Sequence, residues 1–233
     1  MPAELIANVR ADLLRYCMPG SRYQDATWSW IEAAKALLNE QGAWAVVDYR
    51  VRRCGADGPA FDTIVAGGAR TALPHAPPTD AELRRGQLVL VDMGAILAGY
   101  ASDMTRMLFL GKPDARVKHA YLAVLEAQLA AIDAVRAGVK AHAVDRAARR
   151  VLARHGLARA FVHSTGHGLG LEIHEPPRVG KNDQTVLEKG MTITIEPGVY
   201  IEGFGGIRIE DTVAVGERGC EVLTPTSKEL RIV

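Results

Sequence analysis

Four acidic residues stand where a β-strand would place its core. Asp92 ends the run Leu88-Val89-Leu90-Val91, and Glu196 ends Thr192-Ile193-Thr194-Ile195. Glu210 sits inside Ile207-Arg208-Ile209-Glu210-Asp211, and Asp103 lies on the stretch that reads as the return strand after Asp92. Acids are depleted in strands and are rarely buried without a partner. Each one alone also reads as an ordinary strand-end acid. Together they constrain the fold, because the strands must bring these carboxylates to one place. In the last run, alternation turns Ile207 and Ile209 to one face and Arg208 and Glu210 to the other.

Four gathered carboxylates repel one another and take up protons unless cations neutralise them. Two divalent ions would do so, and oxygen ligands with one imidazole suit Mn, Co, Fe or Zn. The imidazole is offered by residues 161–177, FVHSTGHGLGLEIHEPP, which hold His163, His167 and His174. His163 and His167 have the spacing of a zinc-binding helix face. That reading fails, because Gly166, Gly168 and Gly170 share the stretch and each costs about 1 kcal/mol in a helix. A strand or loop is expected instead, with backbone in close approach to a neighbour and His167 as nitrogen ligand. A metal pair about 3.5–4 Å apart lowers the pKa of a shared water and polarises a carbonyl. His163, His174 and His75, the last in TALPHAPP, are then candidates to bind substrate or steady a tetrahedral intermediate. The chemistry implied is metal-assisted hydrolysis. Spacing alone does not name the bond.

The remaining bounds agree. A chain of 233 residues can bury a full core without disulfides. Its 28 basic and 27 acidic residues give no electrostatic reason to expect nucleic acid or an anionic membrane as partner. Cys17, Cys54 and Cys220 are widely spaced and form no C-x-x-C pair, so a disulfide framework or zinc ribbon is not expected. Glu4, Arg10, Asp12 and Arg15 interrupt the first segment, which reads as neither signal peptide nor membrane span, and a cytoplasmic location is the expectation.

The pattern predicts helices at 3–16 and 24–40, then strands at 43–51 and 61–68 and a hairpin over 84–110. It restarts with helices at 114–136 and 142–155, followed by strand-like runs at 161–177, 191–202, 205–215 and 220–224. Helices then strands, twice over, predict an α+β domain of two related halves with antiparallel sheet.

These residues resemble a known family. Pro74-His75, Val91-Asp92-Met93-Gly94, Gly99-Tyr100-Ala101-Ser102-Asp103-Met104-Thr105-Arg106, the G-H-G-x-G-x-x-x-H-E-x-P run from Gly166, Ile195-Glu196-Pro197-Gly198 and Arg208-Ile209-Glu210-Asp211 look like the pita-bread metallopeptidases. That group includes methionine aminopeptidases, Xaa-Pro aminopeptidases and prolidases. The resemblance covers about residues 55–226. It implies a single pita-bread catalytic domain over 1–233, with helices packed on a curved antiparallel sheet. It implies Asp92, Asp103, His167, Glu196 and Glu210 as ligands of two divalent ions, manganese first among Mn, Co, Zn and Fe. Asp103 and Glu210 would bridge the ions, Asp92 would complete one, and His167 with Glu196 the other. Glu196 resembles the family's proton shuttle. His174 would hold the scissile carbonyl, while His163 and His75 would orient the substrate around its proline. Arg208, Pro74-His75, Thr105-Arg106 and His163 fit the Xaa-Pro branch rather than methionine aminopeptidase. The implied reaction is hydrolysis, by a metal-bridging hydroxide, of the bond between an N-terminal residue and proline. The implied partner is a small peptide with proline second. A homodimer is compatible with the resemblance. A methionine aminopeptidase and a non-catalytic binding module are the alternative readings.

Two departures stand out. Asp92 comes too early for the N-terminal domain usual in that branch, and Arg70 stands five residues before His75, where the branch usually has Asn. Other conspicuous residues have ordinary readings. His119, His142 and His155 are expected on helix surfaces, Trp28, Trp30 and Trp44 in core or interface packing, and Asp133 and Asp145 as solvated helix charges.

Overall fold

The computed structural model describes residues 39–233. The helix expected at 3–16 and most of that at 24–40 lie outside the described residues, as do Cys17, Trp28 and Trp30.

The first described element corrects the sequence reading. Residues 43–51, expected as a strand, belong to helix α1, Glu40–Arg53. The run is rich in Val, Tyr and Trp, which favour strands. Its buried residues, however, are Ala43, Val47 and Val51, spaced by four. The Asn39 side chain accepts from Gly42 N at 2.8 Å and caps the first turn, while Arg50, Arg52 and Arg53 sit in the last. Trp44 stays partly exposed on its outer face.

The hairpin expected at 84–110 is present. Strands β3, Leu88–Met93, and β6, Met104–Phe109, pair antiparallel, and β2, Ile64–Gly67, lies on the other side of β3. Between β3 and β6 the chain makes two short strands, β4, Ala95–Leu97, and β5, Tyr100–Ala101, which join β1, Gly58–Pro59, in a small sheet. α1 packs Ala43, Val47 and Val51 against Val65, Val89, Val91 and Leu108 of the larger sheet.

The second half opens with α2, Ala115–Ala134, capped by Asp114, whose carboxylate accepts from Val117 N at 2.8 Å. α3, Ala141–Arg154, follows. Its buried positions 141, 144, 145, 148, 151 and 152 trace one helical stripe. The second sheet has the order β13-β12-β9-β7-β8, all antiparallel. Its members are β7, Gly166–Gly168; β8, Glu175–Val179; β9, Thr192–Ile195; β12, Asp211–Val215; and β13, Cys220–Val222. β10, Gly198–Ile201, and β11, Gly205–Arg208, form a two-stranded ribbon beside it. The last strand, β14, Arg231–Ile232, joins β6 in parallel, the exception to antiparallel pairing among the described strands.

The runs at 191–202 and 205–215 each read as one strand, yet each breaks in two. Glu196-Pro197 separates β9 from β10, and Ile209-Glu210 separates β11 from β12. Pro197 has no N–H to give a ladder. Both breaks fall at the acids, which are thereby freed from strand pairing and turned toward one place.

Candidate metal centre and substrate cavity

Glycine sets the position of His167. β7 runs between β8 and β9. A Cβ on Gly166 would lie 1.9 Å from the Thr194 carbonyl oxygen, and one on Gly168 would lie 2.3 Å from that of Pro176. Only glycine permits this spacing, as the sequence suggested. His167 Nδ1 lies 2.9 Å from Gly168 O, so it carries the proton and leaves the Nε2 lone pair free. That nitrogen lies 3.4 Å from Glu196 Oε1 and 3.6 Å from Asp103 Oδ2. Burial holds the imidazole below its usual pKa and keeps it neutral, the form a metal requires.

Asp103, His167 and Glu210 each offer a ligand atom within 4.8 Å of the others. Asp103 precedes β6, and Glu210 sits between β11 and β12. Thr105 donates to Glu210 Oε2 at 2.6 Å, and Thr194 lies 3.2 Å from Glu196 Oε1. Asp92, on β3 opposite Thr105, meets Arg208 at 2.5 Å. Asp92 Oδ1 and Asp103 Oδ1 are buried with no hydrogen-bond partner. Burial raises the Asp103 and Glu210 carboxyls well above their usual range, and repulsion from Asp92 and Glu196, with that of Glu210 on Asp103, adds to it. Burial likewise pushes Glu196 up to about 7, with Asp92 adding to the rise and Arg208 opposing it. Orphaned carboxylate oxygens, mutual repulsion and a neutral imidazole with a free lone pair are the donor set a divalent cation fits.

The three other histidines surround a cavity of about 1000 Å³ whose wall also carries Asp103, His167, Glu196 and Arg208. The His174 ring lies 4.3 Å from that of His167. His163 Nδ1 lies 2.7 Å from Ser164 O, so its Nε2 accepts from the Tyr200 hydroxyl at 2.9 Å. Burial holds His163 down to about 4. The Tyr200 oxygen in turn accepts from Arg208 Nη1 at 2.8 Å, and burial lifts its own pKa to about 12. Arg208 also donates from Nε to Thr105 Oγ1 at 3.1 Å. A continuous chain of hydrogen bonds thus links His163, Tyr200, Arg208 and Asp92. The structure brings the sequence-predicted site residues to this region: Asp103, His167 and Glu210 in one cluster, Glu196 3.4 Å from His167, Arg208 beside Asp92, and His75, His163 and His174 on the cavity wall.

Several residues were missed. Tyr200, on β10, is one; its hydroxyl meets His163 and Arg208, partners that no local sequence pattern marks. Asp145 corrects the expectation of a solvated charge. It is buried, accepts from Thr165 N at 3.2 Å and Thr165 Oγ1 at 2.9 Å, and pairs with Arg149 at 2.7 Å. Arg149 donates onward to the carbonyls of Phe161 and His163. Asp145 falls on the buried stripe of α3, which its spacing could have disclosed. Arg70, which stands where the branch usually has Asn, turns its guanidinium to Glu40 and to Pro77 O.

Residues 10–217 match the model of metallopeptidase family M24. The chain belongs to that family. This M24 chain is 48% identical over 205 residues to the Xaa-Pro dipeptidase of Pyrococcus furiosus, covering 88% of itself and 59% of that protein. It superposes on the Xaa-Pro dipeptidase from Bacillus anthracis with a TM-score of 0.88 at 37% identity, covering 97% of this chain and 63% of that one. For the X-Pro aminopeptidase from Thermotoga maritima the TM-score is 0.82 at 41% identity, with 84% and 55% covered. The fold is the pita-bread fold expected from the motifs. The M24 chain spans about three-fifths of the length of the Pyrococcus relatives it matches, 59% and 58%. Among the described residues no helix is long and apolar enough to cross a membrane.

Proposed function

We propose that this chain is a metal-dependent peptidase that hydrolyses the bond between an N-terminal residue and a following proline. The observation that carries the reading is the meeting, on one cavity wall, of Asp103, His167 and Glu196 with His75, His163, His174 and Arg208. The names of the relatives, Xaa-Pro dipeptidase and X-Pro aminopeptidase, support the same substrate class.

Asp92, Asp103, His167, Glu196 and Glu210 would hold two divalent ions, with Mn the first choice and Co, Zn or Fe also compatible with the donors. Bound there, the ions would polarise the scissile carbonyl and lower the pKa of a water. The chain's own residues do the rest. Glu196, whose carboxyl lies close to neutrality without a cation, takes a proton from the attacking water and passes it to the prolyl nitrogen as the C–N bond breaks. His174, beside His167, steadies the carbonyl oxygen. His163 stays neutral and is held by Tyr200, and with His75 it orients the peptide. A proline at the second position removes the amide N–H that strand-type proteases use, so a site that grips the short amino end suits it.

The test is substrate choice. Protein loaded with Mn, Co or Zn is offered Ala-Pro, Ala-Pro-Ala and Met-Ala-Ser. Release of alanine from the proline peptides supports the proposal, and their ratio separates dipeptidase from aminopeptidase. Cleavage of Met-Ala-Ser alone makes the chain a methionine aminopeptidase. No cleavage of any peptide by folded, metal-loaded protein rejects catalysis.

A further inference from the structure

Glu40 opens α1 and is wholly buried, yet it is outside the cavity wall. Its Oε1 accepts from Gly67 N at 2.8 Å. Its Oε2 accepts from Thr79 N at 3.0 Å and from Thr79 Oγ1 at 2.7 Å. Arg70 Nε lies 3.1 Å from both oxygens, and Arg70 Nη2 donates to Pro77 O at 2.7 Å. One carboxylate therefore closes both ends of the segment 67–79. The middle of that segment carries Pro74 and His75, both on the cavity wall. It is tied on its far side to β11, where Gly206 N donates to Thr71 Oγ1 at 2.7 Å and Arg208 Nη1 to Pro74 O at 3.1 Å. The His75 ring makes no hydrogen bond of its own among the described residues, so its place depends on the backbone that bears it.

We infer that Glu40 and Arg70 are positioning residues for His75: their ion pair clamps the loop that presents this histidine to the substrate cavity. A buried carboxylate is costly unless its lone pairs are filled, and here charged and neutral donors from three points of one loop fill them. Such an arrangement fixes a loop's path more closely than apolar packing, and a small misplacement of a group that orients substrate slows turnover strongly. The inference rests on the reading of His75 as a substrate-orienting residue.

Two measurements test it. In the first, Glu40→Gln and Arg70→Gln are made in Mn-loaded wild-type and His75→Ala protein and assayed on Ala-Pro. Each change lowers kcat/KM by roughly tenfold in the wild type, carried by KM more than by kcat. In the His75→Ala background each costs less than about twofold, because the clamp acts through a residue already gone. Equal losses in both backgrounds overturn the inference. In the second, the imidazole signals of metal-free protein are followed by NMR. Arg70→Gln shifts or broadens the His75 signal and leaves His142, on α3, unchanged. An unmoved His75 signal overturns the inference whatever the peptidase activity. Should Glu40→Gln fail to fold, Arg70→Gln decides alone, since that arginine is partly solvated and its loss is milder. Wild-type protein without peptidase activity counts against the proposed function, and the NMR result still decides the clamp.

Discussion

Arg208 Nη2 lies 2.5 Å from Asp92 Oδ2, while Asp92 Oδ1 is buried with no hydrogen-bond partner. One guanidinium thus occupies half of a carboxylate and leaves the other half for a cation. The same side chain reaches Glu210 through Thr105 and His163 through Tyr200. Lysine holds its three donors on one nitrogen where arginine spreads five over a planar fork, so it cannot reach all of these partners at once. Arg208→Lys is expected to lower metal affinity or kcat/KM by about 10–100-fold with the fold retained. Metal content after dialysis, read beside circular dichroism, checks this. A lysine variant that keeps wild-type metal and activity would remove Arg208 from the account.

The metal-stripped protein should become less stable as pH rises from about 6.5 through 7. Burial raises Glu196 from 4.5 to about 7, and raises Asp103 and Glu210 well above their usual range. An acid with a raised folded pKa contributes stability below its unfolded value, and that contribution is lost as pH climbs through the folded one. His163 works the other way. Its pKa falls from 6.5 to about 4, so its contribution is complete above 6.5 and is lost only as the pH drops. Above 6.5 the acids therefore set the slope. Saturating Mn should reverse it, because the ion binds the deprotonated carboxylates. Urea midpoints at pH 6.5, 7 and 8, with chelator and with Mn, give the comparison. A midpoint with chelator that stays flat or rises would contradict the assignment of these acids to one buried cluster.

Gly166→Ala tests the close approach of β7 to β9. The added carbon would meet the Thr194 carbonyl at 1.9 Å, and backbone cannot step aside as a flexible side chain can. The expected loss is about 2–3 kcal/mol. At this size that is roughly 5–10 °C in Tm. Metal binding should weaken as well, because the next residue is His167. An alanine variant with unchanged Tm and metal affinity would show that the strands have room.

Asp145→Ala removes an acceptor from Thr165 N, Thr165 Oγ1 and Arg149 together. Leaving buried donors without partners should cost about 3 kcal/mol. Arg149 would also lose its tether while it holds the His163 carbonyl, so KM should rise alongside the stability loss. Chemical denaturation and steady-state kinetics on one preparation measure both. A loss below about 1 kcal/mol would return Asp145 to the status of a surface charge.

The sequence disclosed the centre more fully than the scaffold around it. Asp92, Asp103, Glu196 and Glu210 were legible because a carboxylate at the end of an apolar run conflicts with its surroundings. His167 was legible because its flanking glycines have no use in a helix. Local composition misled at α1, where Val, Tyr and Trp suggested a strand although Ala43, Val47 and Val51 keep a four-residue spacing. It misled again at Asp145, an acid on the buried stripe of a helix, which pairs with Arg149 one turn on and with Thr165, 20 residues away. Tyr200 and Glu40 were hidden for the same reason. Their importance comes from partners joined through tertiary structure, and no local pattern encodes those pairings.

The central claim is that the acids and imidazole hold metal for cleavage before proline. It is tested most directly by titrating stripped protein with Mn while alanine release from Ala-Pro is followed, with Glu196→Gln as a parallel sample. The account predicts no release without metal, a rise that saturates near two ions per chain, and a folded Glu196→Gln protein that releases none. Undiminished hydrolysis by fully stripped protein, or wild-type turnover by Glu196→Gln, would contradict it.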